Sequence, residues 1–116
     1  MDKILIVEDD RFFRDLFADL LNGQGYVVEC ASSGEEGLKM LARRSYDLVI
    51  TDLVMPDIDG MEILARAKEM DPSIDVIMVT GNANMESAIF ALKHGARDYI
   101  VKPINSIIYP HNAASF

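Results

Sequence analysis

The chain has 116 residues, 50% of them hydrophobic, and a formal net charge of −8. That length gives one domain with a core of its own, and the apolar content excludes a disordered chain. The acidic excess argues against contact with nucleic acid or an anionic membrane surface.

Lys3 to Glu8 opens with four aliphatic residues in a row, Ile4 to Val7, the pattern of a buried strand that ends on Glu8, Asp9 and Asp10. The run is too short for a signal peptide or a membrane span. From Asp10 the period changes. Phe12, Phe13, Leu16, Phe17, Leu20 and Leu21 recur at helical spacing, an aspartate is available as cap, and Gly23 with Gly25 ends the helix. Tyr26 to Cys30 reads as a second strand. Its single cysteine rules out an internal disulfide, is expected to be buried, and fits a reduced, cytoplasmic setting.

Ser33 with Glu36 three residues later matches a capping box, so a second helix follows and runs to about Arg43 or Arg44. The third strand, Leu48 to Thr51, is unbroken apolar or β-branched residues, as expected of a central parallel strand, and Asp52 stands at its end. The loop after it carries Pro56, Asp57, Asp59 and Gly60, read as turn and cap residues. A third helix spans about Gly60 to Met70 and stops at Asp71-Pro72. Ile74 to Thr80 is a fourth strand, Met85 to His94 a helix closed by Gly95, and Asp98 to Val101 a fifth strand followed by Lys102-Pro103. His94 reads as a partner of its helix dipole, and the seven methionines as core and interface filling. The stretch from Ile104 onward has weak helical signals, and Pro110 interrupts it.

Alternating strands and helices with short connections imply a parallel sheet with helices on both faces. In such sheets the chemistry lies beyond the carboxyl ends of the strands. Glu8 and Asp9, Asp52, Thr80 and Lys102 all fall at that rim. Three clustered carboxylates repel one another unless a hard cation sits among them, and few carboxylates with retained waters suit Mg2+. A carboxylate beside such an ion can attack phosphorus, while an ammonium and a hydroxyl hold the remaining phosphoryl oxygens.

With ILIVEDD at 4–10, DLVITDLVMPDIDG at 47–60, VIMVTG at 76–81 and GARDYIVKP at 95–103, the chain resembles the receiver domains of two-component response regulators. The resemblance implies a flavodoxin-like (βα)5 fold, a doubly wound parallel five-stranded sheet in the order 2-1-3-4-5. It implies that Asp52 is the phosphoacceptor, and that Mg2+ is held by Asp9, Asp52, the Val54 backbone carbonyl and, mainly through water, Glu8. Thr80 and Lys102 would hold the phosphoryl oxygens, Tyr99 would act with Thr80 as a switch, and Lys102-Pro103 would be a cis peptide. The domain would span 1–105, with 106–116 an atypical tail and the fifth helix short or irregular.

The implied function is a phosphorylation-controlled signalling switch rather than an enzyme with a turnover substrate. Its partners would be a histidine kinase or phosphotransfer protein and an output domain or downstream protein, with the change read on helix four, strand five and helix five. A homodimer through that face stays open. Two alternatives are weighed: a Mg2+-dependent phosphohydrolase with an aspartyl-phosphate intermediate, and an inactive receiver used as a binding module. The hydrolase chemistry would call for a second aspartate two residues after Asp52, where Val54 stands. The intact Glu8, Asp9, Asp52, Thr80 and Lys102 set argues against the inactive receiver. Val54 and Asn82 would flank the route of water to the acyl phosphate, and an apolar residue at 54 predicts a long-lived phosphorylated state.

Overall fold

The computed structural model describes residues 2–81 and 84–102. Five strands, β1 (Lys3–Val7), β2 (Val27–Ala31), β3 (Leu48–Asp52), β4 (Asp75–Thr80) and β5 (Asp98–Val101), form one parallel sheet in the order β2-β1-β3-β4-β5. Between them run α1 (Arg11–Gly23), α2 (Gly34–Arg43), α3 (Gly60–Met70) and α4 (Met85–Lys93). This is the flavodoxin-like order expected from the alternation of elements. The fifth helix, the tail, Asn82 and the Lys102-Pro103 peptide lie outside the described residues.

Side chains of successive strand residues point to opposite faces, so the aliphatic runs divide between two cores. Ile4, Ile6, Ile50, Ile77 and Val79 pack with Phe17 and Leu21 of α1 on one face. Leu5, Val7, Val49, Val76 and Met78 pack with Ile63, Leu64 and Ala67 of α3 on the other. Each fully buried aliphatic contributes about 1.5–3 kcal/mol against the entropy of ordering the chain. In strands buried on both faces a one-residue slip would exchange the two sets of aliphatics between cores that each pack closely around a different set, and this holds their carboxyl ends in line.

Each helix start is held by a side chain that satisfies free N–H groups. Asp10 accepts from the N–H of Phe12 at 2.8 Å, Ser33 from Glu36 at 3.1 Å, Asp59 from Glu62 at 3.0 Å and Asn84 from Ser87 at 2.8 Å. Glu36 completes the capping box at one remove, accepting from the N–H of Ser32. At the far ends, Gly25 and Gly95 take positive φ, +92° and +101°, where a side chain would be strained.

Two expectations need correction. Cys30 is exposed, because β2 is an edge strand and only one of its residues, Ala31, is fully buried. Phe12 is 67% exposed. It sits about 100° around α1 from Phe13 and so turns away from the buried stripe of Phe17 and Leu21.

Candidate functional site

The register of the sheet brings the rim residues together. Val7 pairs with Thr51, Asp52 with Val79, and Thr80 with Val101. The next residue out on each strand is therefore Glu8, Asp52, Thr80 and Lys102, side by side at one edge. Glu8, Asp52 and Thr80 are buried, whereas Asp9 is exposed. Glu8, Asp9 and Asp52 each offer a carboxylate oxygen within 4.8 Å of the others.

Lys102 closes the cluster. Its ammonium donates to Glu8 Oε1 in a short contact and to Asp52 Oδ2 at 3.2 Å. The side chains of Lys102 and Glu8 are only 8% and 2% exposed, so the pair is shielded from water. Burial pushes Glu8 up to about 7, helped by the neighbouring Asp52 and opposed by Lys102. Burial works in the opposite direction on Lys102, lowering it, but Glu8 and Asp52 outweigh that and hold the ammonium above the usual lysine value. One cation thus serves two buried carboxylates with a third nearby. A site with that excess of negative charge and three converging oxygen donors fits a hard divalent cation.

The loop after β3 is fitted to the same cluster. The N–H of Val54 donates to Asp52 Oδ1 at 3.3 Å, which places the Val54 backbone beside the carboxylate, while the residue as a whole is 65% exposed. Gly60 is required by space. A Cβ there would lie 2.3 Å from the Asp52 carbonyl oxygen and 2.7 Å from the Met78 sulfur. Asp57 accepts from the N–H groups of Gly34 at 3.1 Å and Glu35 at 2.8 Å, so it clamps this loop to the start of α2. The Glu35 N–H is the main cause holding the Asp57 carboxyl below its usual value.

The structure places every expected site residue that it describes on this rim except Tyr99. That residue is half-buried on β5, with its hydroxyl 2.7 Å from Ser87 Oγ on α4. Asp10 and Asp59 are helix caps, as expected. The Asp57 bridge to α2 could not be read from sequence, because the N–H groups that donate to it lie 22 and 23 residues away. Phe13 fits the apolar helical pattern of α1, yet the centroid of its ring lies 4.4 Å from Lys102 Nζ.

A family profile described as the response regulator receiver domain matches residues 4–107. The chain belongs to that family. Among its relatives is the transcriptional regulatory protein ZraR of Escherichia coli O157:H7. The two are 39% identical over 102 residues, covering 88% of this chain but 23% of ZraR. A receiver domain protein (CheY-like) from Methanospirillum hungatei JF-1 superposes with a TM-score of 0.90 at 36% identity, covering 99% of this chain and 89% of that one. The response regulator protein TrrA from Thermotoga maritima, solved in complex with Mg(2+)-BeF, superposes with a TM-score of 0.83 at 30% identity, covering 99% and 98%.

Proposed function

We propose that this domain is a phosphorylation-controlled switch in which Asp52 accepts a phosphoryl group from a phosphohistidine of a kinase or phosphotransfer protein. One observation carries the reading: a buried aspartate shares the Lys102 ammonium with Glu8, and has Asp9 within ligand distance of both. An Asp52 oxygen would attack phosphorus, the P–N bond would break, and its electron pair would go to the imidazole. Lys102 is already in place to pair with a phosphoryl oxygen, and Thr80, one residue beyond the partner of Asp52 on β4, would donate to another.

Asp9, Asp52, the Val54 carbonyl and Glu8 would hold Mg2+, the ion found with TrrA. Bound there, the cation would neutralise the carboxylates and the developing phosphoryl charge. The read-out would pass through Thr80 and Tyr99 to α4 and β5. In support, Tyr99 is hydrogen-bonded to α4, and Met85, Ile89 and Leu92 leave an exposed apolar stripe along that helix. The receptor of that signal would be an output domain or a downstream protein. No role as a phosphohydrolase is favoured, since the position two residues after Asp52 holds an exposed valine in place of an acid.

Incubation with acetyl phosphate and Mg2+, read by intact mass, tests the proposal. The expected result is a gain of one phosphoryl group in the wild type and none in Asp52→Asn. No gain in folded wild-type protein would leave a binding module instead.

A further inference from the structure

Phe13 touches the reacting end of the site without being charged or hydrogen-bonded to it. The Lys102 ammonium lies over its ring, 4.4 Å from the centroid. A cation at that distance is attracted by the ring quadrupole, and more strongly where water is excluded, as it is around this side chain.

The ring's position is set by local bonds. Asp10 accepts from the N–H of Phe12 and, at 3.4 Å, of Phe13, which fixes the first turn of α1. In the next residue, the Arg14 guanidinium donates to the carbonyls of Glu8 at 3.0 Å and Asp9 at 3.4 Å. The turn that carries Phe13 is thereby tied to the segment that carries the two acids. Phe12 packs against Phe13 in a T-shaped pair at 5.3 Å.

Glu8 and Asp52 compete for the ammonium with hydrogen bonds. Phe13 attracts it without accepting one of those bonds and without changing charge when a group is added to Asp52. We propose that Phe13 is a positioning residue, which keeps the Lys102 ammonium at the rim while its anionic partner changes from Glu8 to a phosphoryl oxygen. This rests on Asp52 being the phosphoacceptor. An aliphatic side chain of similar size would fill the same space without the attraction.

The test is the rate of phosphoryl uptake by the 116-residue chain from acetyl phosphate at saturating Mg2+, followed by intact mass. Phe13 is replaced by phenylalanines bearing one, two and three ring fluorines, which weaken the quadrupole at nearly constant volume, and separately by leucine. The expected result is a stepwise fall along the fluorinated series, with Phe13→Leu slowed about three- to tenfold. A flat fluorinated series would overturn the proposal whatever the leucine variant does, because shape and not the quadrupole would then matter. Wild-type protein that takes up no phosphoryl group would instead overturn the reading of Asp52, and this proposal with it. A second readout is independent of activity: the Lys102 ε-methylene protons should be shifted upfield by the ring in the wild type and not in Phe13→Leu. Their absence from the upfield region in the wild type would also overturn the proposal.

Discussion

Two clusters in this domain are built from the same parts. In one, Lys102, Glu8 and the Phe13 ring meet at the carboxyl rim of the sheet. In the other, Lys3 pairs with Glu29 at 3.3 Å and lies 5.5 Å from the centroid of the Tyr46 ring. Their charge balance is opposite. Glu29 collects donors: the Tyr46 hydroxyl at 2.6 Å, Arg44 at 2.6 Å and Lys3. Its carboxyl is held below its usual value, by the Tyr46 hydroxyl first. Glu8 accepts from the Asp10 N–H at 3.1 Å but shares the Lys102 ammonium with Asp52, is more deeply buried, and is pushed up to about 7 by that burial first. The Glu29 cluster is satisfied and braces β1, β2 and the start of β3. The Glu8 cluster is left short of positive charge, which makes it receptive to a cation or to a change of partner.

The largest expected effect comes from removing each lysine in turn. Lys102→Met leaves two buried carboxylates uncompensated and should cost about 3–5 kcal/mol without divalent cations, with part of the loss recovered on adding Mg2+. Lys3→Met removes a half-exposed pair from a carboxylate that keeps two other donors, so its cost should stay within about 1 kcal/mol. Chemical denaturation of both variants with and without Mg2+ measures the contrast, and equal losses would erase it.

Gly60→Ala comes next. Its Cβ would press on the Asp52 carbonyl, and neither backbone can yield cheaply, so a loss of about 1–3 kcal/mol is expected with slower phosphoryl uptake. Thermal unfolding and intact mass report the two parts.

Asp57→Ala should act more weakly and with a pH signature. The carboxyl of Asp57 titrates below its usual value in the folded chain. Its contribution is therefore present in full above the unfolded value and lost as pH falls through the folded one. The gap in Tm between wild type and Asp57→Ala should be constant at neutral pH and close below about pH 4. A gap that widens in acid would contradict the clamp.

The smallest structural effect belongs to Val54→Asn. On an exposed side chain it should change stability by less than about 0.5 kcal/mol. Yet it should shorten the life of phosphorylated Asp52, because an amide beside that carboxylate can orient water. Equal rates of phosphate loss in the two proteins would remove Val54 from the chemistry.

Much of this molecule was legible in the amino-acid order. The aliphatic runs Ile4–Val7, Leu48–Ile50 and Val76–Val79 allow little but buried parallel strands, and the caps Asp10, Ser33 and Asp59 mark helix starts through bonds that span three residues or fewer. Such signals are local, and the rim set followed from them because every parallel strand delivers its last residue to the same edge. Cys30 and Phe12 were misread for a related reason. Local pattern does not say which strand is at the edge of the sheet or how far around a helix the core extends.

The remaining features depend on residues far apart in the chain. Only the tertiary structure set Phe13 over Lys102, carried Asp57 to the start of α2, and pressed Gly60 against the Asp52 carbonyl. It also decided that Glu8 and Glu29, two glutamates each beside a lysine, should be shifted in opposite directions, Glu8 up by burial and Glu29 down by the Tyr46 hydroxyl. The sequence determined which groups could meet at the rim. Folding set how many carboxylates share one ammonium and how much water reaches them, and the strength of a charge interaction depends on both.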